Sequence, residues 1–181
     1  MPNLEEKQIE REEIYKGHIV NLVRDKVLLP NGKEAVREVC LHIGAVAIIP
    51  ILDDGRVVME RQFRYPHGRV FLEIPAGKLD SRDEDTLSAA KRELREETGA
   101  TAERYTDLGV MIPSPAILAE RINIYLAEGL SFGDRELDDD EFLDVEFIPL
   151  EELYGMVLRG EIEDAKTAIA VMKAYAIKKQ L

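Results

Sequence analysis

Three glutamates near the middle of the chain have the residue type and spacing of a cation-binding site. Glu93, Glu96 and Glu97 lie in a stretch whose apolar residues recur every three or four positions, a period that predicts a helix. At about 100° per residue, their side chains fall within an arc of about 100° on one face of that helix. Carboxylates near a helix C-terminus are unfavourable, and a hard divalent cation such as Mg²⁺ or Mn²⁺ would neutralise them. The spacing alone favours a solvated acidic face and leaves the cation site as the alternative.

The two ends of this helix can be predicted as well. Asp85 can cap the N-terminus, because an aspartate side chain accepts hydrogen bonds from amides of the first turn. Gly99 can end the helix, since glycine readily adopts the left-handed conformation common just after a helix. The face expected to pack on the core consists of Leu87, Ala90, Leu94 and Thr98.

The stretch at residues 77–100 closely resembles the Nudix box. That motif reads glycine, five residues, glutamate, seven residues, and then Arg-Glu-apolar-x-Glu-Glu-x-Gly-apolar. Residues 92–100, which read RELREETGA, fit its second half, and Glu84 fits the upstream glutamate. Six residues rather than five separate Gly77 from Glu84, which changes the loop but not the register of the helix. A match at so many positions is specific, and it implies metal-dependent hydrolysis of a nucleoside diphosphate linked to another moiety.

The same resemblance implies roles for individual residues of the box. Glu93 and Glu97 match the principal metal ligands of the family, and Glu96 matches a further or bridging ligand. The main-chain carbonyl of Ala76 is another implied ligand, and Arg92 matches an arginine that orients the carboxylates. The implied cofactor is Mg²⁺, with Mn²⁺ as a substitute.

A wider resemblance, from about residue 14 to the end, is to the branch of ADP-ribose pyrophosphatases and nucleoside-diphosphate-sugar hydrolases. It rests on the segments REV at 37–39, GAVA at 44–47, RQFRYP at 61–66 and LEIPAG at 72–77. Pro115 follows Gly99 by 16 positions, as is typical of the ADP-ribose enzymes. The next residues, AILA at 116–119, depart from the Gly-Phe-Ser or Gly-Phe-Ala of many members, in a loop that shapes the substrate pocket.

Several residues outside the box are expected to bind the substrate. Arg64 and Arg37 are candidates to hold the diphosphate, because a guanidinium can bind phosphate oxygens through two parallel hydrogen bonds. Arg61 is a weaker candidate, and Pro115 belongs to the pocket loop. Without the resemblance, each arginine would be interpreted as a surface residue of a strand.

A general base is expected in the acidic loop at residues 138–141, which reads DDDE. The resemblance implies this place, since in this branch the base is an acidic residue of a downstream loop. Glu141 is the first choice and Asp139 the second. The alternative, that these acids are merely solvated, is about equally good for any one of them.

The composition of the chain limits its partners and its location. A net charge of −12 over 181 residues argues against nucleic acid or an anionic membrane surface as a partner. The single cysteine, Cys40, excludes an internal disulfide and fits a reducing compartment. No apolar run reaches about 18 residues, and the first residues contain no apolar signal segment, so a cytoplasmic location is expected.

The order of elements predicts an α+β protein or an α/β/α sandwich, and the length of 181 residues predicts one domain. The resemblance implies a Nudix-type α/β/α sandwich with a central mixed sheet and an N-terminal antiparallel hairpin. Residues 1–42 are expected to form that hairpin, turning at Pro30-Asn31-Gly32, as an arm that pairs two subunits of a homodimer. Residues 43–181 are expected to form the hydrolase domain. The charged residues at 1–13 are expected to be frayed at the start of the chain.

The function implied by the resemblance is Mg²⁺-dependent hydrolysis of ADP-ribose to AMP and ribose 5-phosphate. One alternative is a nucleoside-diphosphate-sugar hydrolase that prefers GDP-mannose or a similar sugar nucleotide. An alternative from another class is a sensor that binds ADP-ribose without cleaving it. Such modules usually lose glutamates of the box, whereas this chain retains them.

Overall fold

The computed structural model describes residues 3–137 and 141–180 and contains two compact units. One unit consists of the chain up to residue 43 together with residues 112–121. The other consists of residues 44–111 and the chain from residue 122 onward. Within the described residues, no helix combines the length and apolar character needed to cross a membrane.

The first unit is built on an antiparallel sheet of three strands. The strands β1 (Lys7–Lys16), β2 (Asn21–Leu28) and β3 (Glu34–Leu41) pair in that order. The turn between β2 and β3 is the predicted one, with Gly32 at φ +79° and the Lys33 amide donating to the Asn31 side chain at 3.0 Å. In residues 112–121, the Ala119 amide donates to the Cys40 carbonyl at 2.9 Å, which attaches this segment to β3.

The expectation of fraying is wrong for residues 7–13, which lie in β1. All ten side chains of β1 are exposed, while its main chain pairs with β2. That pairing satisfies the backbone amides and carbonyls without apolar side chains. Arg11 adds two hydrogen bonds to Asp25, at 2.7 and 2.6 Å. A charged sequence here indicates exposure of the side chains and does not exclude a strand.

The second unit is organised around a mixed sheet of seven strands. The strands are β4 (Ala45–Ile51), β5 (Arg56–Arg64), β6 (Arg69–Glu73), β7 (Ala76–Lys78), β8 (Ala100–Met111), β9 (Ile122–Phe132) and β10 (Leu143–Pro149). The main order is β10-β5-β4-β9-β8, with β6 paired to β5 and β7 paired to β4. The pair β4–β9 is parallel and the other pairs are antiparallel, which confirms the predicted mixed sheet.

Helices cover both faces of this sheet. They are α1 (Thr86–Thr98), α2 (Leu150–Leu158) and α3 (Ala165–Lys179). All of β4 is buried, as its apolar sequence predicts: Ala47 and Ile49 belong to a core cluster with residues of α3, while Val46 and Ile48 point to the opposite face. The helix α1 packs against β4, β7, β8 and β9. The predicted α+β class and α/β/α layering are therefore confirmed.

The helix α1 has both predicted ends. The Asp85 side chain accepts a hydrogen bond of 2.8 Å from the Ser88 amide. Gly99 has φ of +72°, and its amide donates to the Arg95 carbonyl at 2.8 Å. The predicted core face is only partly correct, because two of the glutamates, Glu93 and Glu97, are buried alongside it. A solvated acidic face is therefore wrong for these two residues.

Candidate functional site

The carboxylate of Glu97 is held at the start of β7. The Ala76 amide donates a hydrogen bond of 2.9 Å to Glu97 Oε2, and the Glu97 side chain is 3% exposed. Burial, together with the nearby carboxylates of Glu60 and Glu93, raises the pKa of Glu97 well above its usual value. A nearby cation would lower the pKa of Glu97 again, so the carboxylate is well placed to bind a cation.

Glu93 lies one helical turn earlier and is also buried. Its Oε1 accepts a hydrogen bond of 2.8 Å from Arg92 Nη1. Burial raises the pKa of Glu93 to about 7, although Arg92 opposes that rise. The carboxylate packs directly on β7, since a Cβ atom built on Gly77 would lie 2.0 Å from Glu93 Cδ. Gly77 has no positive φ, so it is space for this carboxylate that requires glycine there.

This contact gives a prediction for Gly77→Ala. The new methyl group should displace the Glu93 carboxylate, because a flexible side-chain end moves more easily than the strand. We expect divalent-metal affinity to fall by about 10-fold or more, as when groups that orient metal ligands are altered. Calorimetric titration with Mn²⁺ measures the change, and Gly133→Ala is a matched control because its Cβ would meet nothing closer than 3.9 Å. Unchanged affinity in Gly77→Ala would contradict the placement of Glu93 as a ligand.

Arg92 connects the carboxylates of the box. Its Nη1 donates to Glu93 at 2.8 Å and to Glu96 Oε2 at 3.3 Å, and its Nη2 donates to Glu84 Oε1 at 3.4 Å. Glu84 in turn accepts a hydrogen bond of 2.6 Å from the Asp80 amide, which closes the loop before α1. The additional residue of this loop is thus accommodated without any change to the register of the helix. The arrangement is that of an arginine that fixes the positions of carboxylates.

Glu96 is in a different environment from the other two box glutamates. Its side chain is 29% exposed, and besides Arg92 it has Arg95 Nη2 at 3.7 Å from its Oε1. Its carboxylate therefore has two cationic partners and contact with water. Among the three glutamates that the sequence brings together, Glu93 and Glu97 are therefore the buried pair, and Glu96 lies at the rim.

A fourth carboxylate, Glu60 of β5, was missed by the sequence analysis. Its side chain is 3% exposed, and burial together with repulsion from Glu141 raises its pKa to about 8. The signal in the sequence is the run VVME at 57–60, in which one glutamate follows three apolar residues within the buried part of β5. Without the fold, nothing in that run places Glu60 near the box.

Glu141 lies close to the same group of carboxylates. Its negative charge contributes to the raised pKa of Glu60, of Glu93 and of Glu97. Asp139, the second choice for a general base, falls outside the described residues. The structure therefore brings Glu141 to the buried glutamates of α1, although they are more than forty positions apart in the sequence.

Arg64 forms an ion pair with Glu73 near the buried carboxylates. Its Nε and Nη2 donate to the two carboxylate oxygens of Glu73, at 2.8 and 2.7 Å. Lys166 of α3 also donates to Glu73, and it donates to Asp164 at 3.0 Å. Burial alone would raise the pKa of Glu73, but Arg64 and Lys166 lower it to about 2. An open cavity of about 260 Å³ is lined by Arg64, Pro66, His67, Phe71, Glu73, Asp164 and Lys166.

The remaining predicted substrate residues have other partners. Arg61 Nη2 lies 2.8 Å from Glu146 Oε1 on β10. Arg37 Nε and Nη2 donate to Glu6 at 2.9 and 2.5 Å, within the first unit. Pro115 belongs to the segment 112–121 of that same unit. The structure of the second unit thus brings together Ala76, Glu93, Glu97, Glu141 and Arg64, and it adds Glu60.

The donor chemistry of this group fits a hard divalent cation. Glu93 and Glu97 offer buried carboxylate oxygens whose pKa values are raised by burial, and a cation would offset the cost of ionising them. Within residues 3–137 and 141–180, no three acidic, histidine or cysteine side chains already surround one point as a metal cage. Mg²⁺ keeps several of its own waters, so two or three protein oxygens suffice for each ion.

Comparison with known families identifies the class of protein. The NUDIX domain matches residues 41–170, and the nucleoside diphosphate sugar hydrolase N-terminal domain matches residues 6–40. The chain belongs to the Nudix family, and it is a Nudix hydrolase. Members of this family generally use divalent metal ions. The resemblance carried by residues 77–100 is thereby confirmed.

Individual relatives are similar over nearly the whole chain. The ADP-ribose pyrophosphatase of Bacillus subtilis (strain 168) is 44% identical over 173 residues, which cover 94% of this chain and 93% of that protein. The methanol dehydrogenase activator of Bacillus methanolicus is 43% identical, with coverage of 92% and 91%. A crystal structure described as an ADP compounds hydrolase has a TM-score of 0.87, covering 98% of this chain and 97% of the other. At 23% identity, that structural likeness supports the fold alone.

Proposed function

We propose that this chain is a Mg²⁺-dependent pyrophosphatase that hydrolyses ADP-ribose to AMP and ribose 5-phosphate. The observation that carries the proposal is the buried pair Glu93 and Glu97, packed on β7 and fixed by Arg92 and by the Ala76 amide. The substrate is inferred from similarity over 94% of the chain to an enzyme named ADP-ribose pyrophosphatase. The intact box glutamates argue against a sensor that binds without cleaving.

The proposed metal ligands are Glu93, Glu97, Glu96 and the carbonyl of Ala76, with Mg²⁺ preferred and Mn²⁺ as a substitute. When bound, the divalent ions would offset the negative charge of the diphosphate and make a water molecule more acidic. Glu96 is assigned a supporting part, because it is more exposed than the buried pair and is already paired with two arginines. Arg92 would keep the carboxylates in position as ions enter and leave.

The proposed roles of the remaining residues concern the substrate and a proton. Glu141 would accept the proton of the attacking water, since its charge lies close enough to raise the pKa values of the buried glutamates. Arg64 would bind the diphosphate, oriented for this by Glu73. Arg61 is a weaker candidate because phosphate would have to compete with Glu146. Arg37 and Pro115 are assigned to the substrate on the family resemblance alone.

The prediction for Arg64 is a specific loss of substrate affinity. A lysine at this position cannot donate two parallel bonds to Glu73 while it also reaches the diphosphate. We expect Arg64→Lys to raise the KM for ADP-ribose by about 10-fold, with a smaller change in kcat. Steady-state kinetics measures both, and Arg69→Lys is the control, since Arg69 is exposed and pairs with Glu163. Equal KM values in wild type and Arg64→Lys would remove Arg64 from the substrate site.

We also propose that residues 1–42 act as a dimerisation arm of a homodimer in the cytoplasm, with no nucleic acid or membrane as a partner. The side chains of β1 are all exposed, which supports the arm. The single cysteine supports a reducing compartment. Light scattering on the purified chain tests the dimer. A monomer at micromolar concentration would contradict it.

A panel of substrates tests which reaction the protein catalyses. Purified protein with Mg²⁺ should release AMP from ADP-ribose with a higher kcat/KM than it shows towards GDP-mannose, NADH or dinucleoside polyphosphates. Higher kcat/KM with GDP-mannose would favour the sugar-nucleotide alternative. Binding of ADP-ribose with no turnover would favour the sensor, and no product from any member of the panel would overturn the enzyme.

A further inference from the structure

Glu60 lies on β5, and its side chain is on the face of the sheet that α1 covers. Val57 and Met59 belong to the core cluster that includes residues of α3. Because side chains alternate along a strand, Val58 and Glu60 face the opposite way, towards α1. Glu60 is also directly opposite Glu73 on β6 and Val145 on β10, so these side chains share that face. The carboxyl group therefore enters the space in which the glutamates of α1 lie.

The Glu60 carboxyl is buried but incompletely paired. Its side chain is 3% exposed, and within the described residues its Oε1 has no hydrogen-bond partner. A buried polar atom without a partner is costly, and a buried charge without one is costlier still. Such a residue needs a reason in the structure, such as a bound ion or a water molecule.

The two basic side chains near Glu60 do not serve as partners for its carboxyl group. Arg64 and Lys166 are the positive groups that most influence Glu60, but both hold the carboxylate of Glu73 instead. Lys166 directs a further hydrogen bond to Asp164. The carboxylates of Glu141, Glu73 and Glu97 also interact electrostatically with Glu60, and none of them can neutralise its charge.

We propose that Glu60 is a further carboxylate of the metal site, binding a divalent cation or one of its waters alongside Glu97. The inference rests on the proposed function, because it assigns Glu60 to the same ions. It explains why a carboxyl group occupies the end of the run VVM on the face of the sheet towards α1. It also assigns β5 a ligand in addition to those that α1 and β7 are proposed to supply.

The test measures metal binding separately from turnover. Glu60→Gln keeps the shape of the side chain and removes the charge, and its affinity for Mn²⁺ should be about 10-fold to 100-fold weaker than that of wild type. Calorimetry and the electron paramagnetic resonance of free Mn²⁺, both without substrate, give the affinity. Glu128→Gln is the matched control, because Glu128 is also a strand glutamate but pairs with Lys178.

A second variant separates a metal ligand from a structural residue. Glu60→Leu should raise the melting temperature of the metal-free protein, since an apolar group suits the buried position better. The increase in melting temperature on adding Mn²⁺ should be smaller than in wild type. A residue with a purely structural role would give a lower melting temperature and an unchanged response to Mn²⁺.

These outcomes distinguish the inference from the proposed function. If wild type hydrolyses ADP-ribose and Glu60→Gln binds Mn²⁺ as tightly as wild type, the role of Glu60 is wrong and the proposed function stands. If wild type binds Mn²⁺ tightly, Glu60→Gln binds it weakly and ADP-ribose is not cleaved, the inference holds and the proposed substrate is wrong. If wild type binds no Mn²⁺, both are overturned.

Discussion

Glu97→Gln should lower the kcat for ADP-ribose hydrolysis by about 10³-fold or more while the protein stays folded. Glutamine is nearly the same size and its amide oxygen can still accept the hydrogen bond from the Ala76 amide. What is lost is the negative charge that would bind a divalent cation at the centre of the site. A 10³-fold loss corresponds to about 4 kcal/mol of transition-state stabilisation, a reasonable magnitude for a ligand to a catalytic ion.

The folding of this variant can be predicted from the pKa of Glu97. Because burial raises that pKa, the ionised carboxylate destabilises the metal-free native state, and its stabilising neutral form is lost as the pH rises. The melting temperature of metal-free Glu97→Gln at neutral pH should therefore equal or exceed that of wild type. Glu103→Gln, a change at an exposed position of β8, is the control and should alter neither quantity. Turnover of Glu97→Gln within a few fold of wild type would overturn the ligand assignment.

Glu141→Gln should lower kcat by about 10²-fold to 10⁴-fold, the range typical of a lost general base. The KM for ADP-ribose should change much less, because the residue is assigned to the proton of water and not to the substrate. The Glu141 carboxylate helps to raise the pKa values of Glu60, Glu93 and Glu97, which supports its assignment to the proposed metal site. Measuring kcat and KM across a range of pH tests both parts of this prediction.

Two further variants test whether Glu141 or another acidic residue of this region is the general base. Asp134→Asn removes one exposed carboxylate shortly before the acidic loop, and it should leave kcat near the wild-type value. Asp139→Asn should have a small effect if Glu141 is the base. The opposite pattern, with a normal kcat in Glu141→Gln and a low one in Asp139→Asn, would transfer the role to Asp139.

Features that depend on residues close together in the sequence were predicted well. The N-cap at Asp85 and the glycine end at Gly99 require only the local backbone and a nearby side chain. The turn at Gly32 and the burial of β4 follow from turn chemistry and from a short apolar run. The charged strand β1 was predicted less well, because it is stabilised by backbone pairing with β2 and not by burial of its own side chains.

The sequence by itself determined the family and the limits of α1, and it supplied the candidate metal ligands, because a motif and a helical period are local properties. The period placed three glutamates on one face, but only the tertiary structure decided that β7 and Gly77 bury Glu93 and Glu97 and leave Glu96 at the rim. The fold also brought Glu60 and Glu141 to the same carboxylates. Strands and helices that are distant in the sequence meet through packing of the whole core, and no local pattern encodes that packing. The fold therefore decided how deeply each charged side chain is buried and which groups it contacts.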